Sequence, residues 1–139
     1  MNKTDLVAIR DFVAADWNFI LATWLRGLYY GKTWFSEIPK DIFMEKYHAI
    51  IEAILGLKNV IVKVACLKDD PEVILGYAIM SEDRSTVHFT FVKSAWRGIG
   101  IAKSLIPPEM KQVTHLTKVG LSILKSKYPG VQFNPFAIN

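Results

Sequence analysis

The sequence predicts an α/β protein of the α+β kind, built on a mixed, mostly antiparallel sheet with elements in the order β-α-α-β-β-β-α-β-α-β. Three observations lead there. Two helix-period segments follow a single short strand. Three β-branched segments then come in direct succession, joined by polar turns, which is the pattern of a meander. A strand, a glycine turn and a short helix come next. Strict βαβ alternation, the mark of a doubly wound parallel sheet, is absent.

Each element has a local reason. Leu6–Arg10 reads as a short first strand. Asp16 is placed to cap a helix whose apolar residues Trp17, Ile20, Leu21, Trp24, Leu25, Leu28 and Tyr29 recur at three- and four-residue steps, with Gly31 as its stop. A second helix is expected from Pro39, which suits a first helical turn, through the stripe Phe43, Tyr47, Ile50, Ile51, Ile54 and Leu55 to Gly56. Asn59–Leu67 and Val73–Met80 read as strands around the turn Lys68-Asp69-Asp70-Pro71. After the polar connection Ser81–Ser85, Thr86–Val92 alternates, with Val87, Phe89 and Phe91 on one face and His88, Thr90 and Val92 on the other. A short helix over Ile99–Ile106 ends at Pro107-Pro108. Gln112–Leu116 is a short strand, Thr117 caps the helix that follows, and Val131–Phe133 forms a last strand after Pro129-Gly130.

Composition narrows the class. A chain of 139 residues fits one domain over 1–139, and 51% apolar with 22% charged residues describes a globular protein, not a disordered one. No apolar run approaches the roughly 18 residues a membrane span needs, and Met1–Asp5 carries no signal-peptide pattern. The lone Cys66 falls in a strand and reads as a small core hydrophobe, so a reducing cytoplasm is the expected compartment. The net charge of +4 is uneven: from Lys93 to Lys127 the chain holds seven basic residues and one acid, Glu109. That cluster suits an anionic ligand, whether a phosphorylated cofactor, nucleic acid or charged membrane, and equally suits a solvated basic surface.

The most informative segment runs from Phe91 to Leu105. A strand ends at Val92, the chain turns through Trp96, Gly98 and Gly100, and a helix follows. Such a turn is a ready anion site. The first helical amides lack partners, and glycines let phosphate oxygens come close to the backbone. Arg97 and Lys103 add positive charge. The glycine spacing fits neither a dinucleotide fingerprint nor a P-loop.

In context, Arg97-x-x-Gly100-x-Ala102 resembles the Q/R-x-x-G-x-G/A pyrophosphate signature of the GNAT (N-acetyltransferase) superfamily. Trp96 stands where that family commonly has an aromatic residue, Ile74–Ile79 with Gly76 resembles its preceding strand, and the element order agrees over nearly the whole chain. The resemblance implies a sheet splayed between its fourth and fifth strands and acetyl-CoA (coenzyme A) as the cofactor. Backbone amides of Arg97, Gly98, Ile99, Gly100, Ile101 and Ala102 would hold the pyrophosphate. The main chain at Phe91 and Val92 would pair with the pantetheine arm and polarise the thioester carbonyl. The strings Val87–Val92, Thr114–Thr117 and Phe133–Phe136 further resemble short members from bacterial viruses and prophages. Family members often dimerise, so a homodimer is implied as well.

Transfer to an amine needs a proton acceptor and a donor for the thiolate. In many family members a tyrosine does the latter; that position here is Ser126, and Tyr128, two residues on, is the candidate to take its place if the helix end bends, with helix-end packing as the competing reading. His88, in the fourth strand, and His115, at the fifth, flank the implied splay and are candidate bases; an ordinary strand histidine and a helix-capping role are the competing readings. Glu82 reads first as a hairpin-turn residue, with a proton relay through water as its alternative, and His48, near Glu45 and Glu52, as part of a solvated helix face. The resemblance puts the acceptor beside the connection of the first two helices, where Tyr30 and Trp34 are candidates to stack on a cation or ring or to pack on the core.

Two further classes stay open. One is a non-catalytic acyl-CoA-binding module on the same fold. The other is a nucleic-acid binder using the basic half, although no readout motif supports it and no nucleic-acid or membrane partner is expected. The expected partner is a small-molecule or protein amine, and no metal site is read.

Overall fold

The computed structural model describes residues 2–138. Strand β1 is Val7–Asp11, followed by helices α1 (Trp17–Tyr29) and α2 (Lys40–Leu55). Strands β2 (Ile61–Leu67), β3 (Asp70–Met80) and β4 (Thr86–Val92) form the meander. Helix α3 (Ile101–Leu105), strand β5 (Gln112–Val113), helix α4 (Lys118–Lys127) and strand β6 (Gln132–Phe133) complete the order read from the sequence.

The strands lie side by side in chain order. Pairs β1–β2, β2–β3 and β3–β4 are antiparallel, while β4–β5 and β5–β6 are parallel. The sheet is therefore mixed and mostly antiparallel, with the change of direction at the β4–β5 seam. Each face carries its own core. Ile20, Trp24 and Leu28 of α1 and Phe43, Ile51 and Ile54 of α2 pack on Val64, Tyr77, Ile79 and Phe89. On the other face Ile101, Leu105 and Leu124 pack on Leu75, Ala78, Met80, Val87 and Val113. Cys66 is buried and free, as its strand position implied. Among the described residues no helix is long and apolar enough to cross a membrane.

Four local departures from the sequence reading have physical reasons. Asp16 does not cap α1. Its buried carboxylate instead takes both Arg10 guanidinium nitrogens at 2.8 Å and the Val13 amide at 2.9 Å, tying β1 to the helix start. The Arg10 hydrogen bond holds the Asp16 carboxyl below its usual range, against the opposing effect of burial. Strand β3 begins at Asp70 and takes in Pro71, because the β2–β3 register slips beyond Cys66 and frees that position from donating to a ladder. Helix α3 is shorter than Ile99–Ile106, because Gly98 (φ 79°) and Gly100 (φ 93°) are left-handed and hold the chain out of the helix until Ile101.

The fourth departure concerns faces. In β4, Phe89 pairs with Ile79 and Val87 with Met80, leaving His88 as an extra residue between them. That bulge breaks the two-residue alternation. Val87 joins the α3–α4 core, while Phe89 and Phe91 stay with α1 and α2, so the single face expected for all three is split.

Candidate functional site at the seam of β4 and β5

The seam has a closed end and an open end. At the closed end Thr86 pairs with Gln112 and Val87 with Val113, and the Thr114 amide donates to the Val87 carbonyl at 3.1 Å. There β5 stops, while β4 runs on to Val92 with no strand beside it on that edge among the described residues. This is the splay the sequence reading implied.

At the open end the chain makes its glycine turn. The backbone N–H groups from Gly98 to Lys103 carry no hydrogen bond among the described residues. A Cβ built on Gly98 or Gly100 would meet nothing within 4 Å, so the cradle opens to solvent. The first amides of α3 share its partial positive charge. Arg97 adds its guanidinium, whose Nε donates to the Val92 carbonyl at 3.0 Å and ties the turn to the strand end. These groups fit a diphosphate: free donors, positive charge and no side chain in the way.

Strand alternation decides which main-chain groups of β4 face the opening. The Lys93 amide donates to the Leu75 carbonyl of β3, and the Phe91 carbonyl also faces β3, lying 2.5 Å from where a Cβ on Gly76 would be. Gly76 is thus required for that close approach. By the same alternation Val92 and Thr90 present their main chain to the open edge, while Phe91 contributes its side chain to the α1 face, against Phe19 and Tyr77.

Three polar residues occupy the vertex where the strands part. His88, Thr114 and His115 are 1%, 1% and 5% exposed. The Thr114 hydroxyl lies 3.1 Å from His88 Nδ1 and 2.9 Å from His115 Nδ1. His115 is enclosed by the edges of Trp24 and Tyr47, with ring centroids 5.9 and 5.7 Å away. Burial pushes both imidazoles down to about 4, and the neighbouring His88 adds to the effect at His115. Both rings are therefore neutral at neutral pH. The His88 Nε2 has no partner among the described residues. His88 also lines a surface depression of about 500 Å³ with Leu57, Lys58, Val60 and the hairpin Ser81-Glu82-Asp83.

The structure brings His88 and His115 together but sets Tyr128 apart. Tyr128 ends α4 on the opposite face and lines a shallow groove with Leu121, Leu124, Pro129 and Phe133. Tyr30 and Trp34 are 57% and 67% exposed. The Lys40 ammonium already sits 5.3 Å over the Tyr30 ring, so an in-chain cation uses one of its faces, and Trp34 leans on Phe35 at 4.3 Å. Glu82 accepts from the Asn59 side chain at 3.1 Å and His48 pairs with Glu52 at 2.9 Å on an exposed helix face.

Two contributors escaped the sequence reading. Thr114 is one; a threonine between a buried strand and a histidine was its only signal. Gly31 is the other, read only as a helix stop. Its carbonyl accepts the Lys118 amide at 2.9 Å, and a Cβ there would lie 2.8 Å from Thr117 Cγ2. The α1–α2 connection is thereby pinned to the start of α4.

No family model and no curated protein matches the sequence. The fold does have solved counterparts. A predicted acetyltransferase with acetyl-CoA from Clostridium acetobutylicum is similar over 96% of this chain and 95% of its own, with a TM-score of 0.61 and 12% identity. A GCN5-related N-acetyltransferase from Kribbella flavida is similar over 74% of this chain and 62% of its own, with a TM-score of 0.50 and 22% identity. The order of elements, the parallel seam and these likenesses agree: the chain has the GNAT acetyltransferase fold.

Proposed function

We propose that this protein is an N-acetyltransferase that uses acetyl-CoA to acetylate an amine of a small molecule or protein. The observation that carries the reading is the run of unpartnered amides from Gly98 to Lys103, placed at the open end of the splay. When bound, acetyl-CoA would supply the thioester from which the acetyl group moves to the amine nitrogen. The chain's own residues have separable tasks in this reading. The glycine turn grips the diphosphate, and on the open edge of β4 the Val92 amide and the Thr90 main chain pair with the extended arm, the Val92 carbonyl being held by Arg97. A β4 amide at the splay stabilises negative charge developing on the thioester oxygen. The seven basic residues from Lys93 to Lys127 offset the phosphate charges.

Gly100→Tyr tests the carrying observation. Gly100 has φ 93° and open space where its side chain would be, so a tyrosine strains the turn and projects into the cradle. Acetyl-CoA binding measured by calorimetry is expected to vanish while circular dichroism shows the fold intact. Unchanged affinity would overturn the reading.

A second reading, a non-catalytic acyl-CoA-binding module, is favoured by one observation: both seam histidines are buried and held at about 4, and Tyr128 lies on the far face. Thiol release from acetyl-CoA with a panel of amines separates the two. Binding without release selects the module.

A further inference from the structure

The vertex of the seam contains three polar groups and too few protons to allow them a free choice. Thr114 Oγ1 lies 3.1 Å from His88 Nδ1, 2.9 Å from His115 Nδ1 and 3.2 Å from the His88 carbonyl oxygen. A hydroxyl has one proton to donate and two lone pairs with which to accept. A carbonyl oxygen can only accept, so that contact takes the hydroxyl proton. Both imidazole Nδ1 atoms must then carry protons and donate to Oγ1.

The competing arrangements cost more. Giving the hydroxyl proton to His88 Nδ1 would move that ring's own proton to Nε2, which is buried and has no partner among the described residues. A buried N–H without an acceptor is rarer and costlier than an acceptor left unused. Giving the proton to His115 Nδ1 would leave the His88 carbonyl, at the bulge, without this donor.

We infer that Thr114 is a positioning residue that locks His88 and His115 as Nδ1–H tautomers, so that each ring presents a bare Nε2 as a hydrogen-bond acceptor. The tautomer of an imidazole is set by the bond its other nitrogen makes, and here one hydroxyl sets two rings at once. Burial keeps both rings neutral, which preserves the bare nitrogens at neutral pH. His88 borders the depression beside Ser81, Glu82 and Asp83, and its Nε2 is buried there without a partner among the described residues, so a donor that reaches it, an amine N–H or a water, meets an unused acceptor. The catalytic meaning of that acceptor, and it alone, rests on the acetyl-transfer reading.

The test needs no ligand. Long-range proton–nitrogen correlation spectra of the ¹⁵N-labelled full chain at neutral pH are expected to show Nδ1–H and unprotonated Nε2 for both rings. Thr114→Val should release the lock and move at least one ring toward the Nε2–H form, and Thr114→Ser should restore it. An Nε2–H tautomer at either ring in the native chain, or a valine variant with native tautomers, overturns the inference. If the valine variant does not fold, the native and serine spectra still decide it. In a transfer assay Thr114→Val should lower kcat about tenfold or more with KM for acetyl-CoA unchanged, and Thr114→Ser should recover it. Altered tautomers with native kcat would remove the catalytic part. Absence of transfer by the native chain would count against the acetyltransferase reading and not against the tautomers.

Discussion

The two faces of the sheet are built on different terms. On one, α1 and α2, helices of 13 and 16 residues, lay an aromatic network over the strands. Trp24 stacks on Phe89 at 5.2 Å with an interplanar angle of 3°, and Phe43 stacks on Tyr47 at 4.9 Å. On the other face α3 has five residues and α4 ten, and the packing is largely aliphatic. The first face encloses polar groups and neutralises them; the second leaves a run of amides open. Aromatic rings bury large area in fixed orientations, whereas a short helix cannot cover its own first turn. The aromatic packing therefore lies on one face and the unpartnered amides on the other.

Acid is the strongest way to break that contrast. His88 and His115 titrate at about 4 in the fold against 6.5 when exposed. As pH falls the unfolded chain takes up protons first. The stabilisation is complete above 6.5, declines between 6.5 and 4 and has gone below that. The loss should be on the order of 3 kcal/mol for each ring, seen as a lower urea midpoint at pH about 4.5 than at about 7.5. Equal midpoints would show that the enclosed face does not hold neutral histidines. Asp16 adds its own loss only below its ordinary 3.8.

Truncation probes the same face by packing. Trp24 is wholly buried, and Trp24→Ala should cost about 3–5 kcal/mol in denaturant unfolding. A loss under about 1 kcal/mol would mean the stack on Phe89 is not a stability centre. The smallest effect sharpens the contrast from outside: Trp34→Ala removes an exposed ring and should change stability by no more than about 0.5 kcal/mol. A larger change in thermal unfolding would place Trp34 within the core.

Much of this was legible in the sequence, and the exceptions share a cause. The helix stripes of α1 and α2, the meander and the glycine turn are local patterns, and local patterns are what periodicity reports. The bulge at His88 is not local. It follows from how β4 must meet β3 and β5 together, and it moved Val87 to the other face without any change in the residue pattern. Asp16 had the right type and position for a cap, but Arg10, six residues earlier, competed successfully for its carboxylate. The seam histidines were visible as residues near a splay. The burial of His115, which lowers its basicity far below the neutral range expected of imidazole, depends on Trp24 and Tyr47 arriving from two different helices.

The bond from Lys118 N–H to the Gly31 carbonyl, at 2.9 Å, turns a chain stop into a mechanical linkage. The loop bearing Tyr30 and Trp34 cannot swing outward without breaking it or dragging the first turn of α4 along. Because α4 follows directly on the Thr114–His115 vertex, a load applied at the aromatic loop is delivered to the root of the cleft.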